Sequence, residues 1–546
     1  MVKIFLRLEL EQIFLSLERQ SPMLVKQNNR RGITMTQSEQ PIVDTKLGKL
    51  KGFVKDDTQT FLGIQYGKST AGERRFMPPE PPEPWQGVID ACDFGPICPQ
   101  GGSLADNALA DNQVIGPLPK LPLSEDCLYL NVWTPAVKDH GKRPVLFWLH
   151  GRGFAEGAGS EGWYDGTKLS QRGDVVVVTI NHRLNIFGYL YLAELGGEKY
   201  ATSGVNGMLD AVLALEWVRD NIAEFGGDPD NVTIFGESGG GLKVGTLMAL
   251  PRAEGLFHKA VMQSGPGLRG VDPKLATPFA RKVLEHFDIK KEELHKLHDL
   301  TSEQLLDAVT KLAGIGPGAS GFLAPVVDGK VYPRHAFIPD AVPTAVNIPL
   351  IIGTNKDESA LFSAADPKRV SFDEEELHRR LDRLLGERKT EILDVYRQNR
   401  PRVTPWDLYI GIISESMRLW SIQLAEKKAA AGGAPVYMYL FTWESNYMGG
   451  IFKSCHAMEI PFVFNNPDIA PFTGKGNDRH ELAASMSQSW INFARSGDPN
   501  VQGLPHWPPY DTENRTTMIF DTPCRVENDP RKEERQVWKG KPLLRT

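Results

Sequence analysis

The chain lacks several features, and each absence removes a class of function. No apolar run approaches the about 20 residues that a membrane span requires. The N-terminal stretch MVKIFLRLELEQIFLSLERQ is amphipathic, but Arg7, Glu9 and Glu11 interrupt any secretory-leader core. With neither leader nor span, the chain is expected in the cytoplasm. Cysteine is scarce: five in 546 residues, at Cys92, Cys98, Cys127, Cys455 and Cys524. None forms a CxxC pair, and a disulfide scaffold needs more. Positive charge is not in excess, with 62 Lys and Arg against 68 Asp and Glu for a net charge of −6. That excludes the basic footprint of a nucleic-acid binder. The 52 glycines and 39 prolines follow no period, which excludes collagen-like and low-complexity chains. His295 and His298 stand three apart on an expected helix. No third ligand is evident, so they read as a solvated helix face rather than a metal pair.

What is present is an ordinary globular composition, 41% hydrophobic and 24% charged. Short runs at Val145–Leu149, Asp174–Asn181, Val232–Phe235, Lys259–Gln263, Pro349–Thr354 and Val436–Trp443 are nearly continuously apolar. Such runs suit strands covered on both faces of a largely parallel sheet. Between two of them, Asn206–Phe225 carries apolar residues at helical spacing and stops at Gly226-Gly227. Strand–helix–strand alternation predicts an α/β fold. Pro273–Leu312, Ser371–Asn399 and Pro405–Ala431 read as charged helical insertions. The Gly/Pro-rich tract 96–122 reads as a long surface loop of the kind that often carries function. Residues 1–34 join the rest poorly and are expected to be an upstream extension or a loose helix, with the domain proper at 35–546.

Chemistry is concentrated in two glycine-rich segments. Gly236-Glu237-Ser238-Gly239-Gly240 follows one expected strand and opens a helix-like stretch, Gly241–Leu250. Small residues at 236 and 240 permit a sharp strand-to-helix turn that lifts the Ser238 hydroxyl clear of the sheet. The helix N-terminus beneath it favours developing negative charge. The second segment, His150-Gly151-Arg152-Gly153-Phe154, leaves the strand Val145–Leu149 directly. Its glycines allow backbone N–H groups to approach an oxyanion. Taken alone, either segment could be a plain turn.

These segments, with Phe61-Leu62-Gly63-Ile64-Gln65-Tyr66-Gly67, Ser124-Glu125-Asp126-Cys127-Leu128-Tyr129-Leu130-Asn131-Val132, Asn181-His182-Arg183-Leu184 and Phe225-Gly226-Gly227-Asp228-Pro229, resemble the type-B carboxylesterases. These are the cholinesterase-like α/β-hydrolases, and the likeness is strongest to their bacterial para-nitrobenzyl-esterase-like branch. It runs from about Val43 to Trp538. It implies an α/β-hydrolase fold: a mixed, mostly parallel sheet flanked by helices, with helical insertions over the active site. It also implies a small-molecule ester as substrate, hydrolysed through an acyl-enzyme, and no metal or organic cofactor.

The family's serine corresponds to Ser238, its acid to Glu358 in Gly353-Thr354-Asn355-Lys356-Asp357-Glu358, and its histidine to His456, before Ile460-Pro461-Phe462-Val463-Phe464. The residues alone do not distinguish Glu358 from Asp357, or His456 from the rest of the 12 histidines. The oxyanion donors implied are the N–H groups of Arg152, Gly153 and Gly239. Glu237 and Ser264 would stand behind the triad, although Ser264 reads equally well as a strand-end residue.

The chain departs from the family pattern at two places: Arg152 replaces a glycine, and Gly239 an alanine. Arg152 either salt-bridges a neighbouring acid such as Glu156 or pairs with a substrate carboxylate. No tryptophan lies between Cys98 and Cys127, which argues against choline esters. Cys98 and Cys127 match the family's cysteine pair and are expected as thiols in a cytoplasm. Carbamates or activated amides at the same site are an alternative. So is a non-catalytic, adhesion-type binding protein of the same family. Oligomeric state is not legible.

Overall fold

Continuous apolar runs need cover on both faces, and the fold supplies it. In the computed structural model, which describes residues 40–101, 114–115, 120–313, 321–541 and 543–544, eleven strands form one sheet. Strands are numbered along the chain. β1 (Ile42–Asp44), β2 (Lys49–Lys51) and β5 (Val88–Asp90) form a small separate sheet. The main sheet holds β3 (Phe53–Lys55), β4 (Thr58–Gln65), β6 (Tyr129–Thr134), β7 (Arg143–Leu149), β8 (Val176–Ile180) and β9 (Gly227–Glu237). It continues with β10 (Lys259–Gln263), β11 (Leu350–Asn355), β12 (Val436–Phe441), β13 (Thr516–Phe520) and β14 (Arg525–Asn528).

Their spatial order is β14-β13-β12-β11-β10-β9-β7-β8-β6-β4-β3. From β13 to β8 every neighbour is parallel. The remaining pairings are antiparallel. The mixed, mostly parallel α/β sheet read from the sequence is therefore present, with each predicted strand within a few residues of its place.

Alternation along β7 shows how the sheet is buried. Val145, Phe147 and Leu149 join one apolar cluster, while Leu146 and Trp148 join the other. The first cluster includes most of helix α1 (Asn206–Asn221), which ends in a short 3-10 turn before Gly226 at φ 72°. The second includes Trp490, Ile491 and Phe493 of a helix at Asp478–Ser496. The charged blocks fold as helices at Pro273–His286, Ser302–Ala313, Glu374–Leu385, Lys389–Asn399 and Pro405–Ala430. Among the described residues no helix is long and apolar enough to cross a membrane. The expectations for residues 1–34 and for most of the 96–122 loop lie outside the described residues.

Several of the motif residues are structural anchors. Arg183 forks onto Asp210 at 2.6 and 2.9 Å in the core, and Arg75 forks onto Glu125 at 2.5 and 2.7 Å. His298 bonds the Gly72 carbonyl at 2.9 Å and the Tyr200 hydroxyl at 3.1 Å, so it is held as a packing residue.

The strand order reverses at β7, because the chain leaves it first to β8 on one side and later to β9 on the other. Open α/β sheets bind ligands outside the carboxyl ends of strands at such a switch point. β7 ends at Leu149, just before the His150–Phe154 loop, and β9 ends at Glu237, just before Ser238.

Candidate active site

Ser238 sits between β9 and helix α2 (Gly239–Leu247) with φ 55° and ψ −119°, a conformation few side chains adopt. Such a backbone stores about 1–3 kcal/mol and persists only where its surroundings enforce it. Here they do. A Cβ on Gly240 would lie 2.0 Å from the Leu149 carbonyl oxygen, and one on Gly236 would lie 2.6 Å from the same atom. The Ser238 N–H donates to the Gln263 carbonyl at 2.8 Å, which ties the turn to β10.

Glu358 and His456 come from loops after β11 and β12, and meet although 98 residues apart: His456 Nδ1 lies 2.6 Å from Glu358 Oε2. The other carboxylate oxygen of Glu358 accepts from Ser264 Oγ at 2.6 Å and from the Asn355 N–H at 2.8 Å. The histidine N–H of the main chain donates to the Glu358 carbonyl at 3.3 Å. Ser264 is thus more than a strand-end residue, since it fixes the carboxylate rotamer. Asp357, the neighbouring acid, turns instead towards Lys356, at 3.4 Å, and the Ser454 N–H.

His456 Nε2 lies 3.1 Å from Glu237 Oε1, so carboxylates stand at both ring nitrogens. Burial alone would lower this imidazole's pKa, but Glu237 and Glu358 outweigh it and raise it to about 10. Burial likewise pushes the Glu237 carboxyl well above the usual range, against the pull of His456. Both groups are thus driven towards the protonated form, His456 by its two carboxylates and Glu237 by burial. Glu459, which the sequence reading passed over, completes it from behind. It accepts from Asn355 Nδ2 at 2.6 Å and Gln263 Nε2 at 3.1 Å, and its pKa is raised by burial and by Glu358. The exposed ring of Phe362 leans on His456 with centroids 5.1 Å apart.

Arg152 adopts φ 61°, the left-handed region that a glycine would enter freely, and Gly153 follows at φ 61°. The guanidinium reaches Glu161 Oε2 at 3.1 Å. The salt bridge to a neighbouring acid is therefore present, with Glu161 as the acid in the contact. Glu161 also accepts from Trp163 Nε1 at 3.0 Å and the Ala158 N–H at 3.3 Å. Cys98 and Cys127 are buried thiols with no bond between them. A neighbouring Cys98 and burial push the Cys127 thiol well above its usual pKa. Trp163, Tyr164 and Leu323 are core residues, and Trp406 packs on Phe372. Among the described residues no cluster of His, Cys, Asp or Glu could hold a metal ion.

The sheet, the sharp turn at Ser238 and the buried Glu358–His456 pair beyond its carboxyl edge are those of an α/β-hydrolase. Residues 39–538 match the model of the Carboxylesterase family, and the chain belongs to that family. It is 39% identical to the para-nitrobenzyl esterase of Bacillus subtilis, over 91% of this chain and 98% of that one. Human cocaine esterase is 34% identical, over 92% and 91%. Among solved structures, a carboxylesterase of Geobacillus stearothermophilus is 40% identical with a TM-score of 0.78, covering 91% of this chain and 99% of that one. An esterase of Clostridium hathewayi, described as hydrolysing aliphatic aromatic polyesters, is 35% identical with a TM-score of 0.79, over 92% and 98%.

Proposed function

We propose that the protein hydrolyses carboxylic esters through an acyl-enzyme on Ser238, with His456 as base and Glu358 as its orienting acid. The observation that carries this reading is the 2.6 Å contact between His456 Nδ1 and Glu358 Oε2, set in a buried cluster beyond the strand that ends at the serine. Serine is a weak nucleophile at neutral pH and needs a base. Ser238 Oγ attacks the ester carbonyl carbon while its proton passes to His456 Nε2. The carbonyl oxygen becomes an oxyanion, received by the N–H groups of Arg152, Gly153 and Gly239. The C–O bond to the alcohol then breaks, and the alcohol leaves with the proton from His456. Water repeats the sequence on the acyl-enzyme, giving its proton to His456 and releasing the acid. Glu358 holds the ring and stabilises the imidazolium that forms twice in each cycle.

For this cycle the imidazole must be unprotonated at Nε2. A protonated Glu237 leaves it so; an ionised Glu237 draws the proton onto it. Glu237 therefore sets the pH at which the base becomes free. The exposed face of Phe362, against His456, supports apolar or aromatic ester groups as substrates, in keeping with the para-nitrobenzyl and polyester esters named for relatives.

Para-nitrophenyl esters from acetate to long chains test the reading. Turnover in the wild type that disappears in Ser238→Ala supports it, and the optimum length sizes the acyl pocket. A folded wild type without turnover, and without stoichiometric labelling by an organophosphate, would return the adhesion-type binding reading.

A further inference from the structure

Lys243 is a buried charge that the ester-hydrolysing cycle does not use. Lys243 lies on α2, four residues after Gly239, and is fully buried. Positions four apart share one face of a helix, with Cβ atoms about 5–6 Å apart. The face that carries Gly239 is turned to the oxyanion loop, since a Cβ there would touch the backbone of Gly153. Lys243 follows this face under the loop. Among the described residues its hydrogen bond is to the His150 carbonyl, at 2.8 Å, and its ammonium lies 5.8 Å from the centre of the Phe154 ring. His150 and Phe154 are the two ends of the segment that contains Arg152 and Gly153. The lysine therefore contacts both ends of the loop.

A lysine with no exposed surface carries a large desolvation penalty, and such residues seldom occur without a partner or a task. The stacked rings of His150 and His182, 4.9 Å apart, face it from the ends of β7 and β8, and both are held neutral by burial and by the lysine itself. Arg152 is paired with Glu161, and Glu161 also favours the charged lysine. Burial brings the lysine's pKa down to about 7, against the pull of Glu161.

We propose that Lys243 is a positioning residue of the ester-hydrolysing site: its ammonium, fastened to the His150 carbonyl, braces the oxyanion loop and sets a buried positive charge beneath the developing oxyanion. The proposal rests on the assignment of Arg152, Gly153 and Gly239 as oxyanion donors. A charge of this kind acts on the transition state, where the oxyanion exists, and hardly on the bound ester. In an effective dielectric of about 20, a unit charge several ångströms away changes a rate about tenfold or more.

Two variants separate charge from packing. Lys243→Met keeps the length and removes both charge and donor; Lys243→Gln keeps a donor for the His150 carbonyl and removes the charge. Each is assayed for kcat and KM on para-nitrophenyl acetate. Each is also titrated with an alkyl trifluoromethyl ketone, which adds to the serine as a hemiketal oxyanion. The proposal expects kcat to fall about tenfold or more in both, KM to stay within about twofold, and ketone affinity to fall in step with kcat. A folded Gln or Met variant with wild-type kcat and ketone affinity overturns it. So does a loss confined to KM. Should the Met variant not fold, the Gln variant decides alone. A wild type that turns over esters alongside unaffected variants removes this proposal only; a wild type inactive on every ester removes the reading beneath it.

Discussion

The backbone of Gly153 lies so close to Gly239 that a Cβ on residue 239 would meet the Gly153 carbonyl oxygen at 2.2 Å and its nitrogen at 2.4 Å. Only hydrogen fits between the turn at Ser238 and the Arg152–Gly153 loop. The two departures from the family pattern thus meet in space: glycine after the serine accommodates a loop whose neighbouring residue is the paired Arg152. Backbone cannot yield as the far end of a side chain can, so Gly239→Ala must displace the loop. The expected result is a fall in kcat of about 10²–10³, the usual loss for one misplaced oxyanion donor, with a smaller change in KM. Steady-state kinetics beside a melting curve check it. Wild-type kcat in Gly239→Ala would show that the loop is free to move.

Arg152 holds a left-handed backbone and an ion pair at once. Arg152→Gly relieves strain of about 1–3 kcal/mol while losing the pair; Arg152→Ala loses the pair and keeps the strain. The alanine variant should therefore melt below the glycine variant. Because the guanidinium is engaged with Glu161, neither change should alter selectivity between a neutral ester and its analogue carrying a free carboxylate. The ratio of kcat/KM for such a pair measures this. A lost preference for the acidic ester would mean that the guanidinium faces the substrate.

The pH dependence follows from the cluster around His456. Its imidazole pKa is raised in the free enzyme, so activity should rise with pH as the base is freed. Glu237 favours the imidazolium, and Glu237→Gln removes that negative charge. The histidine pKa then falls, and the acid limb of kcat/KM moves to lower pH. The same linkage acts on stability. The raised pKa stabilises the fold below the imidazole's ordinary range, and this contribution fades as pH rises through about 10. An acid limb that stays put in the Gln variant, measured over the full pH range, would show that Glu237 does not set the histidine's proton affinity.

Much of the fold was legible because burial on both faces forces continuous apolar runs, and β7 to β12 are such runs. The sharp turn at Ser238 was legible for a local reason: a Cβ at 236 or 240 would overlap the Leu149 carbonyl oxygen, so both positions require glycine. The acid was not, since Asp357 and Glu358 are adjacent carboxylates. Their difference arises only when the Cys455–His456 loop folds back and selects one of them. The pairing of Arg152 with a neighbouring acid was legible, but that Glu161 takes part was not, because the loop turns through residues whose positive φ values no periodicity announces. Lys243 escaped notice altogether. The one available signal was a lysine among the glycines and apolar residues of Gly239–Leu247, where an exposed helix face would have shown further polar positions. Glu459 likewise stands immediately before Ile460-Pro461-Phe462, yet its place behind Glu358 and His456 depends on Gln263 and Asn355, which end β10 and β11.

The central claim is a covalent acyl-enzyme on Ser238, and rapid quenching followed by peptide mass spectrometry tests it most directly. Wild-type protein is mixed with para-nitrophenyl acetate, acid-quenched within the first turnovers and digested. The expected product is an acetyl group on the peptide that contains Ser238, formed in step with a burst of nitrophenol and absent in Ser238→Ala. Ester turnover with no modified peptide, or acetyl on another residue at the burst amplitude, would contradict it.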